Sequence, residues 1–243
     1  MNSATLGPRP AKDPTAFFDD LAQTVKARRE ALQQTPSLSE GECPLTRLQL
    51  IEWLQFRYWY LQEESRFIDS WLSGTPGNER LAGLGALLAD QDRQSQQLLT
   101  HLETLGMTTA TWSPESEWGH WVSEFHASTD DIPERIIAYA LALDPAPMEA
   151  IERLLPDATG LPADSPISTS ARTRWPMVLG LSAAREYATT LERQAHTRAR
   201  VMHAFELEQK ARLAFSRRIR SLRAQAAAND AVEENPVIGL GNS

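Results

Sequence analysis

The sequence predicts an all-α fold, a single-domain bundle of several helices. Every stretch with periodic apolar residues has the helical repeat, and no segment alternates apolar and polar residues for long enough to build a sheet. Capping signatures stand at the heads of the long stretches, and glycines and prolines punctuate the gaps between them. At 243 residues the chain is long enough to bury one substantial core.

Residues 1–12 carry two prolines and little apolar content and read as a disordered tail, with the helical domain over 13–228 and a second tail over 229–243. Asp13-Pro14 has the form of an N-cap followed by proline at the first helical position. Phe17, Phe18, Leu21, Val25 and Leu32 follow at helical spacing, and 36–43 reads as a loop.

The stretch 45–71 opens on Thr46 with Gln49 three residues on, a capping-box pattern. Leu50, Leu54, Arg57, Leu61, Glu64, Ile68 and Trp71 then share one helix face, flanked by Trp53, Phe56, Tyr60, Glu63 and Phe67. So wide an apolar surface implies neighbours on most sides. Arg57 and Glu64 interrupt it, and burying a charge is costly unless it is paired or solvated. They either face a polar pocket, pair across helices, or reach the surface.

After the break at 73–77, Asn78 caps a helix that runs to Gly106, a residue suited to a left-handed C-terminal cap. Its two apolar stripes turn polar in the middle, at Gln91, Gln94 and Ser95. Two antiparallel helices with mid-length polar notches imply an internal polar cavity. The alternative is a set of amides satisfied by backbone or buried water.

Ser113-Pro114 starts a shorter helix with Trp118, Trp121, Val122 and Phe125. Asp131 to Glu134 caps the next, which carries Ile136, Ile137, Ala140, Leu141 and Leu143. A short helix follows over 148–155, and 156–170 is a long connection of the kind that forms a mobile lid or a disordered loop. From Trp175-Pro176 to Ala228 there is no further proline, and Gly180 is the one glycine. A single straight helix there would be about 75 Å long, so a kink, a break or a projecting end is expected. The basic run Lys210, Arg212, Arg217, Arg218, Arg220 and Arg223 suits the C-terminal end of a helix dipole.

A net charge of -8 argues against a general nucleic-acid binder. No run of about 18 apolar residues could span a bilayer, and the N-terminus lacks a basic-then-apolar signal pattern. The single cysteine, Cys43, excludes an internal disulfide and a Cys-rich metal site, which fits the cytoplasm. There is no Gly-rich phosphate loop and no internal repeat.

His196 and His203 are seven residues apart, on one helix face about 10 Å apart along the axis, with Arg200 between them. They belong to a stripe with Glu192 and Glu206, which also suits a solvated face with i,i+4 pairing. The order of long helices and the run from His196 to Ala204 resemble the heme-oxygenase-like superfamily. That group includes thiaminase II, pyrroloquinoline-quinone synthase and the heme-oxygenase-like diiron oxidases. The resemblance spans most of 14–225 and implies a heme-oxygenase-like multi-helix bundle. The diiron branch implies an iron site built from Glu64, Glu152, His196 and His203. This chain departs from that pattern with Arg200 at a carboxylate position and Gln94 at a histidine position. The quinone-synthase branch, which needs no metal, is matched by the segment Trp53 to Gln62. Asp90-Gln91-Asp92 stands where that branch has Asp-His-Asp.

The resemblance implies first a metal-independent, oxidase-type enzyme acting on a small polar organic molecule, with no cofactor expected. Arg57, Glu64, Gln91 and Gln94 would bind substrate, with Arg57 on a carboxylate. Tyr60 would orient the substrate or relay a proton, and His196 or His203 would serve as acid–base group if either faces inward. A diverged iron-binding oxygenase, and an inactive relative that binds a small molecule or partner protein, are the alternatives. No nucleic-acid or membrane partner is expected, and a homodimer is compatible with the sequence.

Overall fold

A computed structural model describes residues 10–33, 46–74, 78–107, 112–126, 132–143 and 169–233. The helix expected over 148–155, Glu152 within it, the 36–43 loop and residues 156–168 lie outside these. The described residues form seven helices and no strand: α1 (Pro14–Gln33), α2 (Arg47–Gly74), α3 (Asn78–Thr104), α4 (Ser116–Ser123), α5 (Ile132–Ala142), α6 (Thr169–Tyr187) and α7 (Leu191–Glu233). None of them is long and apolar enough to cross a membrane.

The local signals act as their chemistry requires. Asp13 Oδ1 accepts from the Thr15 and Ala16 N–H groups at 3.0 and 3.2 Å, so α1 is capped with Pro14 at its first position. Thr46 and Gln49 close a reciprocal capping box, the Gln49 N–H on Thr46 Oγ1 at 3.2 Å and the Thr46 N–H on Gln49 Oε1 at 3.0 Å. Gln49 also donates to the Ile219 carbonyl at 3.0 Å, so the head of α2 is tied to α7. Gly106 has φ +73° just past α3, and the Met107 N–H returns to the Leu102 carbonyl at 2.9 Å, a Schellman ending.

The long C-terminal stretch is broken rather than straight. Helix α6 begins at Thr169, earlier than Trp175, and carries Pro176 inside it. The break falls at 188–190, with no Gly or Pro to mark it. Thr190 caps α7 by accepting from the Arg193 N–H at 3.2 Å. Gln194 Nε2 donates to the Ala188 carbonyl at 2.9 Å and the Lys12 carbonyl at 2.7 Å. The amide thus satisfies the open end of α6 and the entry to α1 together. Helix α7 then runs 43 residues, past the expected end at Ala228.

Three contacts fix α2 and α3 as antiparallel: Arg47 with the Leu105 carbonyl, Arg57 with Gln94, and Ser65 with Gln91. Helix α5 packs on both α6 and α7, while α2 and α4 also rest on α7. Two aromatic clusters join these layers. Phe56 lies 4.7 Å from Trp118 and 4.4 Å from Phe215, centroid to centroid, linking α2, α4 and α7. Phe67 lies 4.9 Å from Trp71 and 5.5 Å from Tyr139, linking α2 to α5. Each such buried ring contributes on the order of 2 kcal/mol. A Cβ on Gly180 would come within 2.6 Å of Ala140 Cβ and 3.0 Å of the Phe18 ring, so glycine lets α6 approach α5 and α1.

Candidate functional site

The mid-length polar notches of α2 and α3 meet at a cavity of about 320 Å³. Arg57, Tyr60 and Glu64 line it from α2, and Leu87, Asp90, Gln91 and Gln94 from α3. Helix α1 adds Ala22, Val25, Lys26 and Arg29, the α5 region adds Tyr139 to Leu141 and Leu143, and α6 adds Pro176 and Met177. The sequence-expected binding residues Arg57, Glu64, Gln91 and Gln94, with Tyr60, all converge here.

Burial without solvent leaves these groups dependent on one another. Arg57, 3 % exposed, donates to Gln94 Oε1 at 3.3 Å, and Gln94 Nε2 donates to Asp90 Oδ2 at 2.5 Å. The guanidinium carbon sits 5.7 Å from the Tyr60 ring centroid, within cation–π range. Glu64 accepts a hydrogen bond from the Tyr139 hydroxyl. Burial, then the adjacent Glu64 charge, push both tyrosine hydroxyls well above their ordinary pKa. The Trp121 indole N–H stands near the Tyr60 oxygen without closing a hydrogen bond. Gln91 Oε1 accepts from Ser65 at 3.3 Å, but its Nε2, on a side chain 2 % exposed, has no partner among the described residues. An amide N–H buried without an acceptor costs about 1–3 kcal/mol.

The two expected acid–base histidines lie elsewhere. Neither His196 nor His203 lines the cavity; both are on α7 with side chains 65 % and 59 % exposed. His196 Nδ1 meets Glu134 Oε1 at 2.9 Å, and His203 Nε2 lies 4.0 Å from Glu124. Arg200 sits between them, its Nε 3.1 Å from Glu134 and its NH1 2.9 Å from Glu124. The Glu134 carboxylate is fully buried, so this pairing answers its desolvation and clamps α5 to α7. The stripe of Glu and His is therefore largely a solvated face with one buried acid beneath it.

Of the residues implied for an iron site, Glu152 lies outside the described residues, and the other three are placed apart from one another in function. Glu64 is on the cavity wall, the histidines serve carboxylates outside it, and Arg200 puts a cation between them. Among the described residues no group of three or more His, Cys, Asp and Glu side chains could hold a metal ion.

Sequence reasoning missed Tyr139 and Glu134. Tyr139 lies in the apolar run Ile136 to Leu143, where a tyrosine reads as core. Glu134 reads as an acid in a first helical turn, a position the dipole explains without a partner. Lys26 and Arg29 were likewise unmarked, within the polar run from Lys26 to Glu30.

No family model matches this chain, and no curated protein or solved structure matches it either.

Proposed function

We propose that the chain binds a small organic molecule bearing a carboxylate in the cavity between α2 and α3. It acts on that molecule as a metal-independent, oxidase-type enzyme, in the manner of the quinone-synthase branch its sequence resembles. The observation that carries the reading is that the buried Gln91 Nε2, without a partner among the described residues, lines the same cavity as the buried Arg57 guanidinium. Both are hydrogen-bond donors, and a carboxylate offers acceptors to both at once. Proton handling falls to the Glu64–Tyr139 pair and to Tyr60, since no histidine lines the cavity among the described residues. An oxidation would need a separate electron acceptor, of which dioxygen is the simplest.

Arg57→Leu tests the reading. As a ligand anchor, Arg57 can be lost with the fold retained, and the variant should no longer bind small carboxylates by calorimetry. Turnover by the wild type should survive a chelator. If Arg57 is instead a structural partner of Glu64, its loss strands a buried carboxylate and costs about 3–5 kcal/mol. A strongly destabilised Arg57→Leu, rescued by adding Glu64→Gln, would reject the proposal.

A further inference from the structure

The two sides of the cavity differ in their access to solvent. On α2 and α3, Arg57, Tyr60, Glu64, Gln91 and Gln94 are all buried. On the other side two lining residues are exposed: Lys26 of α1, with 77 % of its side chain in solvent, and Met177 of α6, at 40 %. The remaining lining residues are buried or half-buried. A side chain that borders both the cavity and bulk water marks where the two meet. Among the described residues, the mouth therefore lies along the seam between α1 and α6.

That seam is pinned on one side of the mouth and weakened beside it. Gly180 brings α6 against Ala140 of α5 and Phe18 of α1 so closely that no side chain fits between. One turn further on, Arg185 Nε donates to Thr15 Oγ1 of α1 at 3.2 Å. Both fixed points follow Pro176 in the chain. Pro176 is buried on the cavity wall inside α6, and it lacks the N–H that would bond the carbonyl one turn earlier. Bonds across a turn resist bending, and helices bend where proline removes one. Residues 169–175 thus continue α6 across a joint set at the cavity wall, next to the exposed Met177.

We propose that ligands enter between α1 and α6, past Met177, and that α6 opens this route by bending at Pro176. Met177 is the size filter. Its unbranched side chain has three rotatable bonds, so it covers the mouth and yields to a compact molecule. Only the location of the binding site is taken from the reading above, so the route holds for a ligand of any charge.

Entry can be timed with a thiol placed inside the cavity. In a Cys43→Ser background, which removes the one native thiol, Leu87→Cys puts a reporter on the α3 wall. Val25→Cys, closer in size to the residue it replaces, puts a second on α1. Methyl and benzyl methanethiosulfonate are the probes, both uncharged, with labelling followed by mass spectrometry. Both thiols should react faster than the protein unfolds globally, and the methyl reagent faster than the benzyl one. Met177→Trp, at an exposed position, should slow both reporters about tenfold, because labelling tracks the population of the open form. Met177→Ala should speed the benzyl reagent more than the methyl one. Pro176→Ala restores the helical N–H and should slow labelling about threefold while the urea midpoint holds or rises. Rates that Met177→Trp leaves unchanged, or labelling no faster than global unfolding, overturn the entrance. Labelling of Pro176→Ala as fast as its parent overturns the bending. The probes carry no carboxylate, so an Arg57→Leu variant that still bound small carboxylates would reject the earlier reading and leave this result untouched.

Discussion

The Tyr139 hydroxyl donates to the Glu64 carboxylate, so α5 and α2 share a hydrogen bond at the cavity wall, 75 residues apart in the chain. Tyr139→Phe removes the donor and leaves a buried carboxylate short of a partner. The loss should be about 1–3 kcal/mol in urea unfolding.

The same pair sets an alkaline limit on stability. Burial, then the Glu64 charge, raise the pKa of Tyr139, and Tyr60 is raised for the same reasons. In the unfolded chain both ionise near the ordinary value of about 10. Their contribution is full below that pH, and it is lost as pH rises from there through the higher folded values, because the unfolded state sheds protons first. Of the four tyrosines, two should not titrate by ultraviolet absorbance until the protein unfolds. Smooth ionisation of all four near pH 10 in folded protein would contradict the burial of this pair.

Gly180→Ala should destabilise by about 1–3 kcal/mol, because the new methyl must displace Ala140 or the Phe18 ring. Adding Ala140→Gly should recover part of the loss. Equal chemical denaturation midpoints for wild type and Gly180→Ala would show that α6 can shift away at no cost.

The α5–α7 clamp separates two residues that look alike as partners of Glu134. Arg200→Met leaves a fully buried carboxylate without its guanidinium and should cost about 3–5 kcal/mol. His196→Ala should cost under 1 kcal/mol, since its ring is mostly in solvent and surface ion pairs contribute little. The ranking can be read from urea midpoints of the two variants, and its reversal would assign the clamp to the histidine.

Much of the frame was legible because it depends on neighbours in sequence. Asp13, Thr46 and Gly106 act on backbone groups within a few residues, so short patterns reveal them. Arg57, Glu64, Gln91 and Gln94 were legible as interruptions of apolar stripes, for a polar group at mid-helix must be accounted for. The break before α7 was expected without its position. It has no Gly or Pro, and the Gln194 amide that completes it bonds to Lys12, which no local pattern reports. The direction of His196 and His203 was hidden for a related reason. A stripe at helical spacing fixes which residues share a face, but the packing of α7 on α5 decides what that face meets.

Helix α7 has a consequence for how the chain is made. Its residues secure the start of α1, through Gln194 on Lys12 and Arg198 on Asp20, the former pair 182 residues apart. On a ribosome α1 leaves the exit tunnel long before the segment that will hold it. At ordinary elongation rates the wait is on the order of ten seconds. Through that interval Phe17, Phe18, Leu21 and Val25 lack part of their final cover. The first helix therefore waits partly uncovered during synthesis, and its contacts with α7 can form only once the last third of the chain has emerged.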